Sequence, residues 1–171
     1  MTLQRWWNQA LARWLVRFPA LLAIWSRTRR FRKAETIPWM PLQKPLIQCR
    51  LALVTTAGVH LKEQPPFDMA DPNGDPSFRE LPGAVQAEQL RITHDYYDHR
   101  DADQDINIVF PIDRLRELVA LGLIAGVAPH HYGFMGHIDK HHVDTLVTKT
   151  APEVARRLRR DRVDAVLLTP A

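Results

Sequence analysis

The sequence predicts an α/β fold: a small, mostly parallel sheet with flanking helices, an incomplete version of the doubly wound type, preceded by an N-terminal amphipathic helical arm. After residue 50, short apolar runs of strand length alternate with helix-forming segments, which is typical of a parallel sheet with right-handed crossovers. The first 36 residues differ from the rest in charge and aromatic content. A length of 171 residues leaves room for one domain with its own core, which we assign to residues 37–171.

The predicted arm, residues 1–36, combines tryptophan with arginine. Residues 1–33 carry eight basic side chains and no acidic one, and apolar residues such as Leu3, Trp7 and Leu11 recur at helical spacing. Two interpretations stay open: an interfacial helix lying on an anionic membrane surface, or a helix packed on this domain or on a second subunit. An organellar transit peptide is a third.

Charge and cysteine content narrow the function classes. The eight positive charges of the arm exceed the net charge of +4, so the rest of the chain is net acidic, and we predict no nucleic-acid partner. Cys49 is the only cysteine, which excludes an internal disulfide or a cysteine-based zinc cluster within these residues. We expect a cytoplasmic protein, with peripheral attachment to the inner face of the membrane through residues 1–33 as the alternative.

A proline-stiffened linker leads to the first predicted strand. Pro38, Pro41 and Pro45 favour extended backbone before it. Residues 50–56 form a continuous apolar run, which is typical of a strand covered on both faces. Residues 61–90 hold several prolines and no sustained period, which predicts a long loop.

Regular structure is predicted again after residue 105. The elements are a buried strand at 106–110, a helix opened by Pro111 and closed by Gly122, a strand at 124–128, a helix begun by the capping-box pattern of Thr150 to Glu153, and a last strand at 163–169. The sheet would then have about four strands, with one edge exposed.

Histidines cluster near the predicted carboxyl ends of strands, where parallel α/β folds bind their ligands. His60 follows the first strand, and His130 and His131 follow the strand at 124–128. Because the carboxyl ends of parallel strands share one edge, we expect these three histidines to converge with Ala171. An imidazole at that edge can act as a general acid or base, so the three are our catalytic candidates.

A second group of candidates lies in the loop before residue 106. His94, Asp95, Asp98 and His99 offer imidazole and carboxylate groups, which serve as metal ligands or as an acid and base pair. Their spacing matches no zinc motif, so solvated loop side chains are the simpler interpretation. A His/Asp metal-dependent hydrolase stays as an alternative function.

Other patterns carry little functional information. His141 and His142 are most simply the polar start of a helix, and Cys49, at the start of a strand, is more simply a buried inert thiol than a nucleophile. The sequence contains no P-loop and no dinucleotide-binding glycine pattern. It contains no nucleophile elbow either.

Several separate blocks of the sequence resemble one family. They are LVTTAGVH at 53–60, QPPFD at 64–68, HDYYD at 94–98, NIVFPIDRL at 107–115 and DAVLLTP at 164–170. Taken in this order, they resemble the glycine/sarcosine/betaine/D-proline reductase selenoprotein B family over about residues 37–171. The arm lies outside the resemblance.

The resemblance implies a reductase that cleaves a C–N bond of a small amino-acid-like substrate, with selenocysteine or cysteine as the redox nucleophile. In the family that residue follows the strand equivalent to 164–169, so the selenocysteine is expected immediately downstream of Ala171, and we expect no cofactor within residues 1–171. The resemblance also implies partner reductase subunits, in some members pyruvoyl-containing, or a thioredoxin-type reductant.

Two explanations account for a sequence that stops before the expected nucleophile. Either an in-frame UGA codon meant for selenocysteine was taken as a stop, or the chain is a short, non-catalytic homologue. We expect the first, because a finished domain would normally cover the exposed edge of the sheet. Residues 1–171 alone are expected to be inactive, and a membrane-surface binding or scaffold protein is the alternative.

Overall fold

The computed structural model describes residues 40–171, together with Phe18, Ala20 and Ala23. The predicted arm, residues 1–36, therefore lies outside the described residues apart from those three, and its interpretation stays a prediction. Leu42–His94 and His99–Ala171 form one compact unit, to which Asp95–Asp98 do not belong. Within the described part of the chain, no helix has the length and apolar character needed to cross a bilayer.

The compact unit contains seven strands and four α-helices. The strands are β1 Arg50–Thr55, β2 Val59–Leu61, β3 Phe78–Pro82, β4 Leu90–Ile92, β5 Gly126–Val127, β6 His130–Phe134 and β7 Ala165–Thr169. The helices are α1 Arg100–Gln104, α2 Ile112–Ala120, α3 His141–Thr145 and α4 Ala151–Arg160. A π-helical turn, Leu146–Thr150, joins α3 to α4, and short 3₁₀ turns lie at Leu46–Gln48, Ala87–Gln89 and Ile106–Ile108.

The main sheet is built around β1 and confirms the predicted α/β class. Strand β1 runs parallel to β5, β6 and β7, and β7 pairs with all of residues 51–55. Strands β5 and β6 therefore share the other side of β1, where β5 pairs near its start and β6 near its end. Strand β3 adds an antiparallel edge beyond β6, and β2 and β4 form a separate two-stranded ladder.

The strand predicted at 106–110 is wrong, because this segment is a 3₁₀ turn at Ile106–Ile108. Side-chain hydrogen bonds compete with strand formation here. The Asp105 carboxylate accepts hydrogen bonds from the backbone N–H of Asn107, at 3.0 Å, and from its side-chain amide, at 2.9 Å. Ile106 is buried while Ile108 is 59% exposed, so the apolar run does not cover one strand face.

The loop predicted at residues 61–90 contains more regular structure than its prolines indicated. Strand β3 and the first residue of β4, Leu90, lie in this segment. Pro82 closes β3, which is an edge strand, and proline is tolerated at a sheet edge because its missing N–H breaks no inner ladder bond. The prediction of a long loop was wrong because the antiparallel partner of β3, strand β6, was itself not recognised.

The strand predicted at 124–128 is shorter than expected, and the segment after it, to which no strand was assigned, contains one. Strand β5 covers only Gly126–Val127, while β6 begins at His130. The interruption is bridged by His131, whose Nδ1 accepts the backbone N–H of Leu53 at 2.9 Å. The polar side chains of His130 and His131 are not typical of a buried strand. In the structure, the His131 side chain takes the place of a backbone acceptor in the ladder of the sheet.

The helix predicted from Thr150 is confirmed, but its predicted start is wrong. Thr150 already has helical backbone angles and makes no side-chain cap, because helical structure begins earlier, at His141. Pro152 cannot donate a backbone hydrogen bond to the preceding turn. The widened π-helical turn Leu146–Thr150 lies just before it, where the regular helical bonding pattern would otherwise be broken.

Helix α4 is fixed to the sheet by one buried apolar residue and one arginine. Val154 is buried against the Tyr132 side of the sheet. Arg157 lies between two carboxylates, with Nη1 2.8 Å from Glu80 and Nε 2.8 Å from Glu153. These charge-assisted hydrogen bonds raise the pKa of Arg157 further above its usual value. The contact to Glu80 ties α4 to the antiparallel edge of the sheet.

We expect Gly133→Ala to destabilise the protein by about 2 kcal/mol, because a Cβ on Gly133 would overlap the carbonyl oxygen of Val59. Gly126→Ala is the matched control: it lies in β5, which also pairs with β1, and a Cβ there meets nothing within 4 Å. The control should stay within about 0.5 kcal/mol of the unsubstituted protein. Urea unfolding of the three proteins measures the difference, and equal losses in both variants would contradict the prediction.

Candidate active site at the carboxyl ends of the parallel strands

Strands β1 and β7 end together and are joined by threonine hydroxyls. The Oγ1 atoms of Thr55 and Thr169 donate to the same acceptor, the carbonyl oxygen of Val109, at 2.9 and 2.7 Å. Beyond them, the backbone N–H of Ala171 donates to Thr56 Oγ1 at 3.1 Å. The end of β7 is thereby held beside the end of β1. We call this side of the sheet, where β1, β6 and β7 end, the carboxyl edge.

Gly136 marks the point where three segments meet at the carboxyl edge. It follows β6, and a Cβ built on it would lie 2.8 Å from the carbonyl oxygen of Thr56 and 3.3 Å from that of Ala171. The third neighbour is His94, whose Nε2 would lie 3.4 Å away. Any larger residue at position 136 would crowd all three, so glycine permits the close approach.

The turn after β1 brings His94 to this position. Gly58 has a positive φ of 73°, a backbone conformation that other residues rarely adopt. Its N–H donates to the carbonyl of Phe134, and its carbonyl accepts the N–H of Thr93, each at 2.9 Å. Gly58 thus links the end of β6 to the residue that precedes His94. The His94 side chain is only 4% exposed.

His60 does not point into an open site. It is buried on β2, where Nε2 lies 2.8 Å from Thr93 Oγ1 and Nδ1 lies 2.7 Å from the carbonyl oxygen of Leu61. A carbonyl can only accept, so Nδ1 carries the proton and Nε2 accepts from the threonine hydroxyl. Burial lowers the pKa of His60 and favours this neutral form. Its contacts hold Thr93, the neighbour of His94.

His131 lies inside the sheet and away from the carboxyl edge. Because Nδ1 accepts the N–H of Leu53, the ring proton must be on Nε2. The ring packs edge-on against Phe110, with 5.7 Å between centroids. Burial, reinforced by the charge of Arg116, lowers the pKa of His131 to about 4. The imidazole is therefore neutral at pH 7.

His130 lies at the opposite end of β6 from Phe134. Its Nδ1 lies 2.7 Å from Asp161, the residue that follows α4, and its Nε2 lies 3.9 Å from Glu80. The expectation that His60, His130 and His131 converge with Ala171 is wrong. It placed His130 and His131 at the carboxyl edge because they follow the strand at 124–128. Strand β5 pairs only with the start of β1, however, and His130 begins β6, so His130 lies at the amino end of a strand. A catalytic role for these three histidines stays a prediction that their positions do not favour.

The remaining candidates come from the loop at 94–99. Asp95 is buried, and Asp98 is half-buried, in the short segment outside the compact unit. His99 immediately precedes α1, and its Nδ1 lies 2.7 Å from the carboxylate of Asp103. The metal-ligand role predicted for this group stays a prediction. Of the four, His94 is the one that lies at the carboxyl edge.

Sequence reasoning missed Gly136 and Thr56 as parts of this site. The signal that could have found Gly136 is its position two residues after a strand of the parallel sheet, but that strand was not predicted. Thr56 was included in the predicted first strand, and its hydroxyl gained a role only from the contact with Ala171. Both residues are recognisable once β6 and β7 are placed beside β1.

Comparison with known proteins gives one family. The family model for the glycine/sarcosine/betaine reductase selenoprotein B matches residues 27–171. The D-proline reductase subunit gamma of Acetoanaerobium sticklandii is 43% identical over 131 residues, which is 77% of this chain and 52% of that protein. The glycine reductase complex component B subunit gamma is 30% identical in Symbiobacterium thermophilum, over 79% of this chain and 31% of that protein. The same subunit of Carboxydothermus hydrogenoformans has the same values.

This chain spans about half the length of the first of these relatives and under a third of the other two. No solved structure gives a significant match. The family match begins in the predicted arm, at residue 27, and runs through the whole domain that forms the carboxyl edge. Since the match covers well over half of the chain and agrees with the sequence blocks quoted above, the chain belongs to the glycine/sarcosine/betaine reductase selenoprotein B family.

Proposed function

We propose that this chain forms part of a reductase that cleaves a C–N bond of a small amino-acid-like substrate, with the reaction taking place at the carboxyl edge. The observation that carries the proposal is the position of Gly136, where the buried imidazole of His94 and the carbonyl of Ala171 both lie within 3.4 Å of one point. Ligands of parallel α/β sheets bind at this kind of edge. It is also where the family resemblance expects the redox nucleophile.

The expected selenolate or thiolate after Ala171 would attack the substrate carbon, so that a Se–C or S–C bond forms as the C–N bond breaks and the amine leaves with a proton. The nearby cysteine expected beyond it would then attack the selenium or sulfur, forming a selenylsulfide or disulfide while the carbon takes up a proton. A thioredoxin-type dithiol would reduce that bond and be oxidised to its own disulfide. The residues of this chain have three tasks around the nucleophile. Thr56 holds the backbone before the nucleophile through its hydrogen bond to Ala171. Gly136 leaves space for the reacting group, and His94 delivers a proton to the departing amine.

Residues 1–171 supply no second candidate for the nucleophile. Cys49 is the only cysteine in the sequence. It is fully buried at the amino end of β1, and its Sγ lies 3.4 Å from the carbonyl oxygen of Pro45. A fully buried thiol is a poor nucleophile, because burial disfavours the thiolate and excludes the substrate. We therefore propose that these residues alone have no reductase activity.

The relatives named above are subunits of reductases, and we propose that this chain also works with partner subunits. The exposed side chains of β7 are the apolar residues Val166, Leu167 and Leu168, of which Leu168 is 68% exposed. Apolar side chains on an edge strand need a cover in the finished enzyme. Either partner subunits or further residues of the same protein would provide it.

The codon after Ala171 is the first test. A UGA followed by an open reading frame with a nearby cysteine supports the proposal. A UAA or UAG with no such frame beyond it contradicts the proposal that a nucleophile is encoded after Ala171. The chain would then be a short, non-catalytic homologue.

The second test is activity. The complete reading frame, expressed with its partner subunits in cells that insert selenocysteine, should release product from one of D-proline, glycine, sarcosine or betaine with a dithiol as reductant. The protein of residues 1–171 is the control and should be inactive. Absence of turnover with all four substrates by the assembled enzyme would overturn the proposed reaction.

A further inference from the structure

A second group of reactive side chains lies outside the proposed reductase site. Asp71, His141 and His142 each direct a potential ligand atom to one place, and these atoms lie within 4.8 Å of one another. The shortest separation, 2.9 Å, is between His142 Nε2 and Asp71 Oδ2. Two segments about 70 residues apart in the sequence thus bring two imidazoles and a carboxylate together.

The turn that carries Asp71 fixes the direction of its carboxylate. Oδ1 accepts hydrogen bonds from the backbone N–H of Asn73, at 2.8 Å, and from the Asn73 side-chain amide, at 2.9 Å. Because Oδ1 is occupied in this way, Oδ2 is left to face His142. Gly74 then forms a β-bridge with Ile138, and the carbonyl of Asn73 accepts the N–H of Asp139 at 2.9 Å. The turn is therefore fastened to the segment that leads into α3.

The histidines are fixed by the start of α3. Lys140, just before the helix, has a φ of 49°, a conformation that costs a residue with a side chain about 1–3 kcal/mol. This turn directs the chain so that both histidines lie in the first helical turn, where the N–H of His142 donates to the carbonyl of Asp139 at 3.1 Å. Their ring centroids are 4.0 Å apart. His141 is exposed, so one side of the group is open to solvent.

We propose that Asp71, His141 and His142 bind a divalent transition-metal ion, with Zn²⁺ preferred. Two imidazole nitrogens and one carboxylate oxygen are ligands that zinc commonly takes, at about 2.0–2.2 Å, with water in the fourth position. The His141 side chain is exposed, and its ligand atom lies within 4.8 Å of the other two, so a change of rotamer would let it approach a bound ion. Oxygen-only ligands would have favoured Mg²⁺ or Ca²⁺, whereas imidazole favours the later transition metals.

The site would join the turn at Asp71 to the connection between β6 and α3, the same connection that carries Gly136. Metal binding would then stabilise the native state, because the unfolded chain does not hold these ligands together. This proposal does not depend on the reductase chemistry, and a failure of either leaves the other standing.

The experiment uses the full 171-residue chain without a histidine tag, freed of metal with a chelator. Residues 1–33 contain no histidine, aspartate or glutamate, so the arm does not compete for the metal. Calorimetric titration with Zn²⁺ should give one site per chain, and Zn²⁺ should raise the melting temperature. Titration with Co²⁺ should give the visible absorption of a low-coordinate cobalt ion with nitrogen ligands.

Two ligand variants and one control decide the assignment. Asp71→Asn keeps a polar group of the same shape beside His142, so the variant should fold normally. Its affinity for Zn²⁺ should nevertheless be at least about tenfold lower, because the charged ligand is lost. His142→Ala should show the same loss. Asp101→Asn makes the same change at an exposed carboxylate of α1, outside the group, and should bind Zn²⁺ as the unsubstituted protein does. Unchanged affinity in both ligand variants, or absence of a one-to-one site in the unsubstituted chain, overturns the proposal.

Discussion

Replacement of His94 by glutamine is expected to lower the kcat of the proposed reductase about 100-fold, with little change in KM. The proposal gives His94 the proton that the departing amine takes up. Glutamine has a similar length and can donate a hydrogen bond, but it cannot transfer a proton. The effect should therefore fall on the chemical step and spare substrate binding. Steady-state kinetics of the complete protein with its partner subunits, at saturating dithiol, measure both constants.

His137→Gln is the matched control for this prediction. His137 follows Gly136 directly, and its Nε2 lies 3.0 Å from the carbonyl oxygen of Pro72, a contact that a glutamine amide can also make. Its kcat should remain within about twofold of the unsubstituted enzyme, since the ring has no proposed part in the reaction. If His94→Gln retained full activity, or if both variants lost activity equally, the proton-donor role of His94 would be refuted.

The parallel core of the fold could be predicted from the sequence, because its strands and helices are marked locally. Strand β1 is a continuous apolar run in the sequence. Strand β7 is another such run, and it follows the helical segment that ends with α4. Helix α2 was predicted from Pro111 and Gly122, and Gly122 does adopt a positive φ of 68° at its end. These elements need no partner to be recognised, because their own residues carry the helix and strand signals.

The elements that sequence reasoning missed depend on contacts made by residues distant in the chain. Strand β6 contains two histidines and a glycine, and it is a strand because His131 bonds to Leu53 and because Gly133 admits the backbone of Val59. The segment at 106–110 has the apolar letters of a strand, but Asp105 and Asn107 close a turn there. Neither of these contacts can be detected in the hydrophobic periodicity of two or 3.6 residues by which strands and helices are predicted.

The same errors explain the mixed outcome for the candidate site. The carboxyl edge could be predicted as the place for a site, since it follows from the parallel sheet alone. Because β6 was not predicted, however, His130 and His131 were placed at the end of a strand, whereas they begin one. His94 was among the candidates, but only for its side-chain chemistry. Its approach to Gly136 depends on the turn at Gly58, which the local pattern near residue 94 does not show.

His131 is expected to make the stability of the folded protein depend on pH, because this histidine is buried in the sheet. Its pKa is lowered to about 4 in the native state, because burial in the sheet disfavours the charged ring, whereas an unfolded histidine titrates near 6.5. Between these values the unfolded chain binds a proton at this position and the native chain does not. Stability must therefore fall as the pH is lowered from about 6.5 to about 4.

The expected loss over this range is about 3 kcal/mol, because each pKa unit of difference corresponds to about 1.36 kcal/mol. His60 shifts in the same direction, so it adds to the loss. Carboxylates with lowered pKa values, such as Asp71 with a pKa of about 2, contribute mainly at lower pH, below the usual aspartate value of 3.8. Urea unfolding at pH 7.0 and at pH 4.5 therefore samples chiefly the histidines.

Substitution of His131 by asparagine distinguishes the contribution of this residue to the pH dependence of stability from that of the other titrating groups. The asparagine side-chain oxygen lies at about the position of Nδ1 and can accept the N–H of Leu53, so the ladder contact is retained without a titratable ring. The variant should be less stable at pH 7, because it fills less of the space beside Phe110. Its stability should nevertheless change much less between pH 7.0 and 4.5, with the slope that remains coming from His60. An unaltered pH dependence in this variant would show that the histidine at the break between β5 and β6 is not the group that titrates.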